Sequence, residues 1–266
     1  MGGVTGVEAW PELPYGEWYE TLETLHMVTQ IVGKVRLSLT PFEPQWANVP
    51  LYTTARGMTT TPMASDGVIF QVDIDLIDHQ VLISTAGGET RRVALKARPV
   101  AAFYAEFMSN LSAIGIAPRF QPVPSEVSDP IPFAEDNVHS AYEPEWANRF
   151  FKVLSRADLV LKDHRSRFRG RTSPVHFFWG TFDLAITRFS GRSADPPTRD
   201  RAQAAAPPRG LHPKDQRAVF RDFVTSWQRI ALRTFVSPGT RVRRSANPRS
   251  ATASTTRARS HRTRAG

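Results

Sequence analysis

The chain has 266 residues, 41% of them hydrophobic and 10% aromatic, which is enough for a substantial core and excludes a wholly disordered protein. It holds no cysteine, so disulfides, thiolate nucleophiles and cysteine-based zinc or iron–sulfur sites are excluded. Its net charge of +9 is uneven: residues 191–266 carry 17 Lys and Arg against 4 Asp and Glu, so the first 190 residues are mildly acidic and the basicity belongs to the tail.

The opening "MGGVTGVEAWPELPYGEW" lacks the basic start and apolar run of a signal peptide, and no later segment approaches ~20 uninterrupted apolar residues. A cytoplasmic protein with no membrane partner is the expectation, its first nine residues disordered. In "GEWYETLETLHMVTQIVGK", Trp18, Leu22, Leu25, Thr29 and Val32 trace one helical stripe that Gly33 can stop, with His26 beside it. "KVRLSLT" then alternates as a half-buried strand ended by Pro41. "LYTTARGMTT" is β-prone, and "VIFQVDIDL" alternates cleanly. Turns at Asp78-His79 and Gly87-Gly88 lead into "QVLIST" and "TRRVAL", which makes an antiparallel meander.

Pro99 opens a helix whose Val100, Phe103, Tyr104, Phe107, Met108, Leu111 and Ile114 keep one face, with Gly115 at its end. The proline-rich "APRFQPVPSEVSDPIPF" predicts a short extended piece and then loop. A second long helix is expected over roughly 143–169, with Trp146, Phe150, Leu154, Ala157, Leu161, His164 and Phe168 in register before Gly170. In "PVHFFWGTFDLAITRFSGR" both periods fit, and strand is favoured because Gly180 is a poor helix-interior residue and fits a bulge or turn. Helix, glycine, Trp46, Leu51 and Thr54 are echoed by helix, glycine, Trp179, Leu184 and Thr187, which suggests an internal duplication.

Several polar groups could carry chemistry, each against a plainer structural role. His176 and Asp183 could approach Trp179 at a pocket mouth, with Arg188 holding an anion, or His176 could be a core histidine with Asp183 and Arg188 paired. His26 and His164 both point inward on this reading, as satisfied core residues or as a pair lining one cavity; no HExxH or HxH accompanies them, and no metal site is assigned. Asp73, Asp75, Asp78 and His79 could be a carboxylate cluster of the kind a divalent cation needs but read first as the solvated face of a strand, and "EDNVH" at 135–139 as polar loop rather than site edge. Arg165, Arg167, Arg169 and Arg171 suit a helix C-terminus, or a clamp for phosphate or carboxylate with Lys34 and Arg36. Nucleotide loops of the GxxxxGK[ST] or GxGxxG kind and a GxSxG elbow are absent.

"WPELPYGEWYETLETLHMVTQIVGKVRL", "LYTTARGMTT" and "SPVHFFWGTFDLAITRFSGR" together resemble a bacterial family of unknown function, domain of unknown function five-nine-nine-six, over about residues 10–195. The resemblance implies one integrated domain and supplies no activity, cofactor or catalytic residue. After "SGR" the chain turns to Arg, Ala, Pro, Ser and Thr, the composition that a shifted reading frame in GC-rich DNA encodes. The other reading is a disordered basic arm over 196–266 that binds nucleic acid or an acidic partner, the domain serving as scaffold; "AVFRDFVTSWQRIALRTFV" within it has a helical pattern.

The resulting expectation is an α+β domain over residues 10–195, an antiparallel β-sheet packed against at least three helices, with a largely disordered tail. Its function is binding, with turnover as an extension, of a small polar or anionic molecule. The pocket is lined by His26, Arg36, Trp46, His164, His176, Trp179, Asp183 and Arg188. Cofactor, catalytic residues and oligomeric state are left open, and nucleic acid is a partner only through the tail.

Overall fold

The structure, a computed structural model, describes residues 10–191. The expectations for residues 1–9 and for the 196–266 tail, including its helical pattern, lie outside the described residues. Helix α1, Tyr15–Leu39, does not stop at Gly33 but continues through the segment expected to be a strand. The reason is legible in the packing. Val28, Ile31, Val32 and Val35 keep a helical spacing and are all buried.

A glycine inside a helix costs about 1 kcal/mol relative to alanine, so its place at 33 needs a cause. A Cβ there would lie 2.3 Å from indole carbons of Trp179, so the helix can accept the indole only where the side chain is missing. From Met27 to Arg36 every residue of α1 is buried. The helix is thus central, and its polar residues in this stretch are enclosed rather than displayed.

A 3-10 turn at Pro44–Trp46 leads into the sheet, formed by β1 Tyr52–Thr53, β2 Gly57–Thr59, β3 Met63–Ser65, β4 Val68–Asp75, β5 Gln80–Thr85 and β6 Thr90–Ala94. The order is β1-β2-β4-β5-β6, with β3 pairing the first part of β4 and every pairing antiparallel. Phe70, Val72 and Ile74 of β4 form its buried face, as the alternation predicts, and Val72 sits opposite Ile83. Asp75 departs from the solvated-face reading. It is buried, accepts from Arg56 Nε at 2.7 Å and caps the turn through the amides of Ile77 and Asp78. Burial alone would raise its carboxyl, and the Arg56 and amide hydrogen bonds overcome that and hold it below the usual carboxylate range.

Helix α2, Val100–Ala113, buries Val100, Phe103, Phe107 and Leu111. Its first turn is tied to the 135–139 loop, where Ala101 donates to Asp136 O at 2.9 Å and the buried Asp136 carboxylate meets His139 Nδ1 at 2.7 Å. Residues 117–143 contain no strand, so the extended piece expected there is irregular backbone. Helix α3, Pro144–Ser166, begins on its proline and ends four residues before Gly170. Both α2 and α3 pack against α1.

The last elements are β7, His176–Phe178, and β8, Asp183–Ala185, a hairpin turning through Trp179-Gly180-Thr181-Phe182. The turn changes which residues share a face. Phe177 pairs with Leu184 and His176 with Ala185, whereas one continuous strand would place His176 with Leu184. The hairpin is tied to the chain just before β1 by reciprocal bonds between Leu51 and Phe177, at 2.9 and 3.0 Å. Trp18 of α1 stacks on Phe150 of α3, Phe150 on Phe182 of the turn, and Phe182 meets Phe177 edge-on, with centroids 5.1–5.4 Å apart.

The internal duplication fails on this geometry. The first helix runs through its glycine and the second stops short of it. Trp46 stands 59% exposed on a 3-10 turn, whereas Trp179 is buried in a hairpin against Gly33.

Candidate functional site

The eight residues expected to line one pocket fall into separate places. Trp46 makes an edge contact with exposed Phe42 on the surface. His164 is exposed at the end of α3, not turned inward as its helical register suggested, because the core face of α3 ends at Leu161. Arg188 donates to its ring and to its carbonyl, the latter at 3.1 Å. Asp183 accepts from Thr181 Oγ1 rather than pairing with Arg188. Burial pushes the Asp183 carboxyl up, against that hydrogen bond.

His26 and Trp179 do come together, through the backbone. His26 Nε2 lies 3.1 Å from Trp179 O and 3.0 Å from Gly180 O. Carbonyls only accept, so Nε2 carries the hydrogen and the 3.2 Å approach of Gln30 Nε2 is donor against donor rather than a bond. Burial holds the ring pKa down to about 4, against the two carbonyl contacts that favour its charged form. Trp179 donates from Nε1 to Val49 O at 3.0 Å. Both residues fasten the hairpin onto α1.

The same helix face carries a satisfied polar cluster that pattern reading passed over. His26, Gln30 and Lys34 follow at spacings of four and therefore lie along one side of α1. Gln30, 0% exposed, clamps the backbone of Ser125: its Nε2 donates to Ser125 O at 2.7 Å and its Oε1 accepts from Ser125 N at 3.0 Å. Lys34, 7% exposed, places Nζ 2.8 Å from Ser125 Oγ and 5.8 Å from the centre of the Trp179 ring. Burial lowers its pKa. Lys34 is therefore a partner of Ser125 rather than part of an anion clamp with Arg36, and neither Gln30 nor Ser125 is among the expected site residues. The four-residue spacing could have revealed Gln30. Nothing local marks Ser125, whose loop reaches α1 from about 90 residues away.

A second cluster is not satisfied. Arg36, 6% exposed, donates from Nη1 to Thr61 Oγ1 at 2.9 Å and lies over the Tyr52 ring at 5.6 Å, while its Nε is buried without a partner. His176, 4% exposed, meets the same Tyr52 ring edge-on at 5.8 Å, and its Nε2 is also buried without a partner. Desolvation lowers the His176 pKa, Arg36 and then Arg165 add to that, and Glu43 opposes it. The tyrosine that links them was not among the expected site residues.

A shallow hollow lined by Thr24, Val28, Leu95, Val100, Phe103 and Tyr142 includes none of the eight. Among the described residues no group of three His, Asp or Glu side chains is placed to hold a metal ion, and no helix is long and apolar enough to cross a membrane.

These features define an α+β domain built around a buried, polar-studded helix. The chain belongs to a family of unknown function (DUF5996), whose model matches residues 10–207 and so continues some way beyond residue 195, the expected end of the domain. No curated protein and no solved structure matches it.

Proposed function

We propose that the domain binds a small anionic molecule at the Arg36–Tyr52–His176 cluster. The observation that carries this reading is the pair of buried, unpartnered N–H or ring-nitrogen positions on two groups sharing one aromatic neighbour. Buried polar groups are nearly always hydrogen-bonded, so an unpaired guanidinium nitrogen beside an unpaired imidazole asks for an acceptor. An oxyanion satisfies both. It accepts from Arg36 Nε and, once the ring takes up a proton, from His176 Nε2. Thr61 fixes the guanidinium through Nη1.

Calorimetric titration of the full chain with inorganic phosphate tests this. Saturable binding is expected, weakened about tenfold or more in Arg36→Gln, the loss of one charge-assisted hydrogen bond. Binding of sulfate, whose charge does not change over this range, should tighten as pH falls from 8 to 6, because the His176 pKa is lowered in the free protein and the ring must be protonated in the complex. Absence of saturable binding, or equal binding by folded Arg36→Gln, refutes the reading.

A further inference from the structure

On the other side of α1, independent of the anion site, we infer that Ser125 and Lys34 form a nucleophile–base dyad that accepts an acyl group from a small ester or amide. Serine is a weak nucleophile unless a neighbouring base takes its proton, and a neutral amine within hydrogen-bond reach does so. Here Nζ and Oγ are 2.8 Å apart. Among the described residues no carboxylate pairs with Lys34, and its one hydrogen-bond partner is Ser125. An enclosed ammonium without a counter-ion favours the neutral amine, the form a base requires.

The serine is held for this geometry. Gln30 grips both its amide and its carbonyl, so Ser125 cannot drift from Lys34 without breaking two buried bonds. Glu126, which follows it, has φ 60°, a left-handed conformation that residues with side chains seldom adopt. Ser125 itself is half-buried and Glu126 exposed, so a reagent can reach the hydroxyl from the loop side. Lys34, by contrast, is enclosed beneath it against Trp179.

The step balances without a further reactant. Oγ attacks the acyl carbon as its proton passes to Nζ, the bond to the leaving group breaks, and the new ammonium gives its proton to that leaving group. Water then repeats the sequence: its proton passes to Nζ, its oxygen takes the acyl carbon, and Ser125 regains its hydrogen.

A fluorophosphonate probe tests the dyad on the full chain, with intact and peptide mass spectrometry as readout. The Oγ–phosphorus bond forms, the phosphorus–fluorine bond breaks and the proton leaves through Lys34. One adduct on Ser125 is expected, absent in Ser125→Ala and formed at least a hundredfold more slowly in Lys34→Met. If Lys34→Met does not fold, the wild-type pH profile decides: labelling should rise to a plateau with a midpoint below 10.5, the ordinary lysine value. Failure to label, labelling elsewhere with Ser125 unmodified, a folded Lys34→Met that reacts like wild type, or a profile without that midpoint overturns the assignment.

Discussion

The Ser125 and Arg36 clusters grow from the same buried helix, yet in one each buried side-chain nitrogen and oxygen has at least one hydrogen-bond partner and in the other two nitrogens have none. At the first, Gln30 and Lys34 reach across to a single loop residue and engage its amide, carbonyl and hydroxyl. At the second, Arg36 spends one donor on Thr61 and leaves Nε unpaired, and His176 makes ring contacts only. Burial penalises both: at the first it falls on the Lys34 charge, and at the second on two nitrogens that make no hydrogen bond at all. A satisfied cluster rigidifies what it holds, here a serine. An unsatisfied one is what a binding site looks like before its ligand supplies the missing acceptor.

Trp179 on Gly33 lies beside Lys34 and belongs to the hairpin that carries His176, so removing that contact should disturb both sides at once. Gly33→Ala puts a methyl group 2.3 Å from indole carbons that are fixed by the Val49 hydrogen bond and by their own burial. Helix propensity favours alanine by about 1 kcal/mol, but overpacking of a ring with no free space outweighs it. We expect a net loss of about 3 kcal/mol in urea unfolding, together with loss of phosphate binding and of probe labelling. Gly16→Ala, where nothing lies within 4 Å of the added carbon, should leave stability unchanged or slightly raised. Equal behaviour of the two variants would remove Gly33 as the joint between the clusters.

Next in size is the acid sensitivity of the satisfied side. His26 titrates near 6.5 in the unfolded chain and at about 4 in the folded one. The unfolded chain therefore binds the proton first, so stability is full above about pH 6.5 and declines as pH falls towards 4. At about 1.4 kcal/mol per unit the ceiling is about 3.5 kcal/mol, and for a ring on a partly exposed residue we expect about 1–2 kcal/mol. His139 adds to the lowering, while Glu126 and Asp183, held above their ordinary values, gain stability as pH falls. The difference between wild type and His26→Gln isolates the histidine. Unfolding at pH 7, 6 and 5 should show a steeper decline in wild type, and parallel declines would mean that the ring is more accessible to water than its carbonyl contacts suggest.

Much of the architecture could be read from local pattern, and the failures have physical causes. The β4–β5–β6 meander and α2 announce themselves because each has one wet face and one dry face, so period two and period 3.6 are both clean. Helix α1 does not, because from Met27 to Arg36 it is enclosed on all sides and polar residues no longer mark the solvent. Gly33 then reads as a stop when it is a docking point, since its reason is a tryptophan nearly 150 residues away. Arg36, His176, His26 and Trp179 were legible as candidates by type, but their grouping was not. The hairpin turn at 179–182 changes the face of every residue after it, and one residue of register decides which partners meet. Ser125 shows the limit, since a serine in a proline-rich loop carries no signal until the fold brings a lysine to it.

The smallest expected stability change separates the two clusters most sharply. His176→Phe keeps an aromatic ring against Tyr52 and Phe178 and removes a buried nitrogen that has no partner. If His176 is only a packing residue, losing an unsatisfied polar atom should be neutral or stabilising, by less than about 1 kcal/mol, and nothing else should change. If it is half of an anion site, the same small change in stability comes with weaker phosphate binding and with loss of the pH dependence of sulfate binding between 8 and 6, while labelling of Ser125 stays at the wild-type rate. A cost of 2 kcal/mol or more would mean that Nε2 has a hydrogen-bond partner in solution, and the unsatisfied character of this side of α1 would have to be given up.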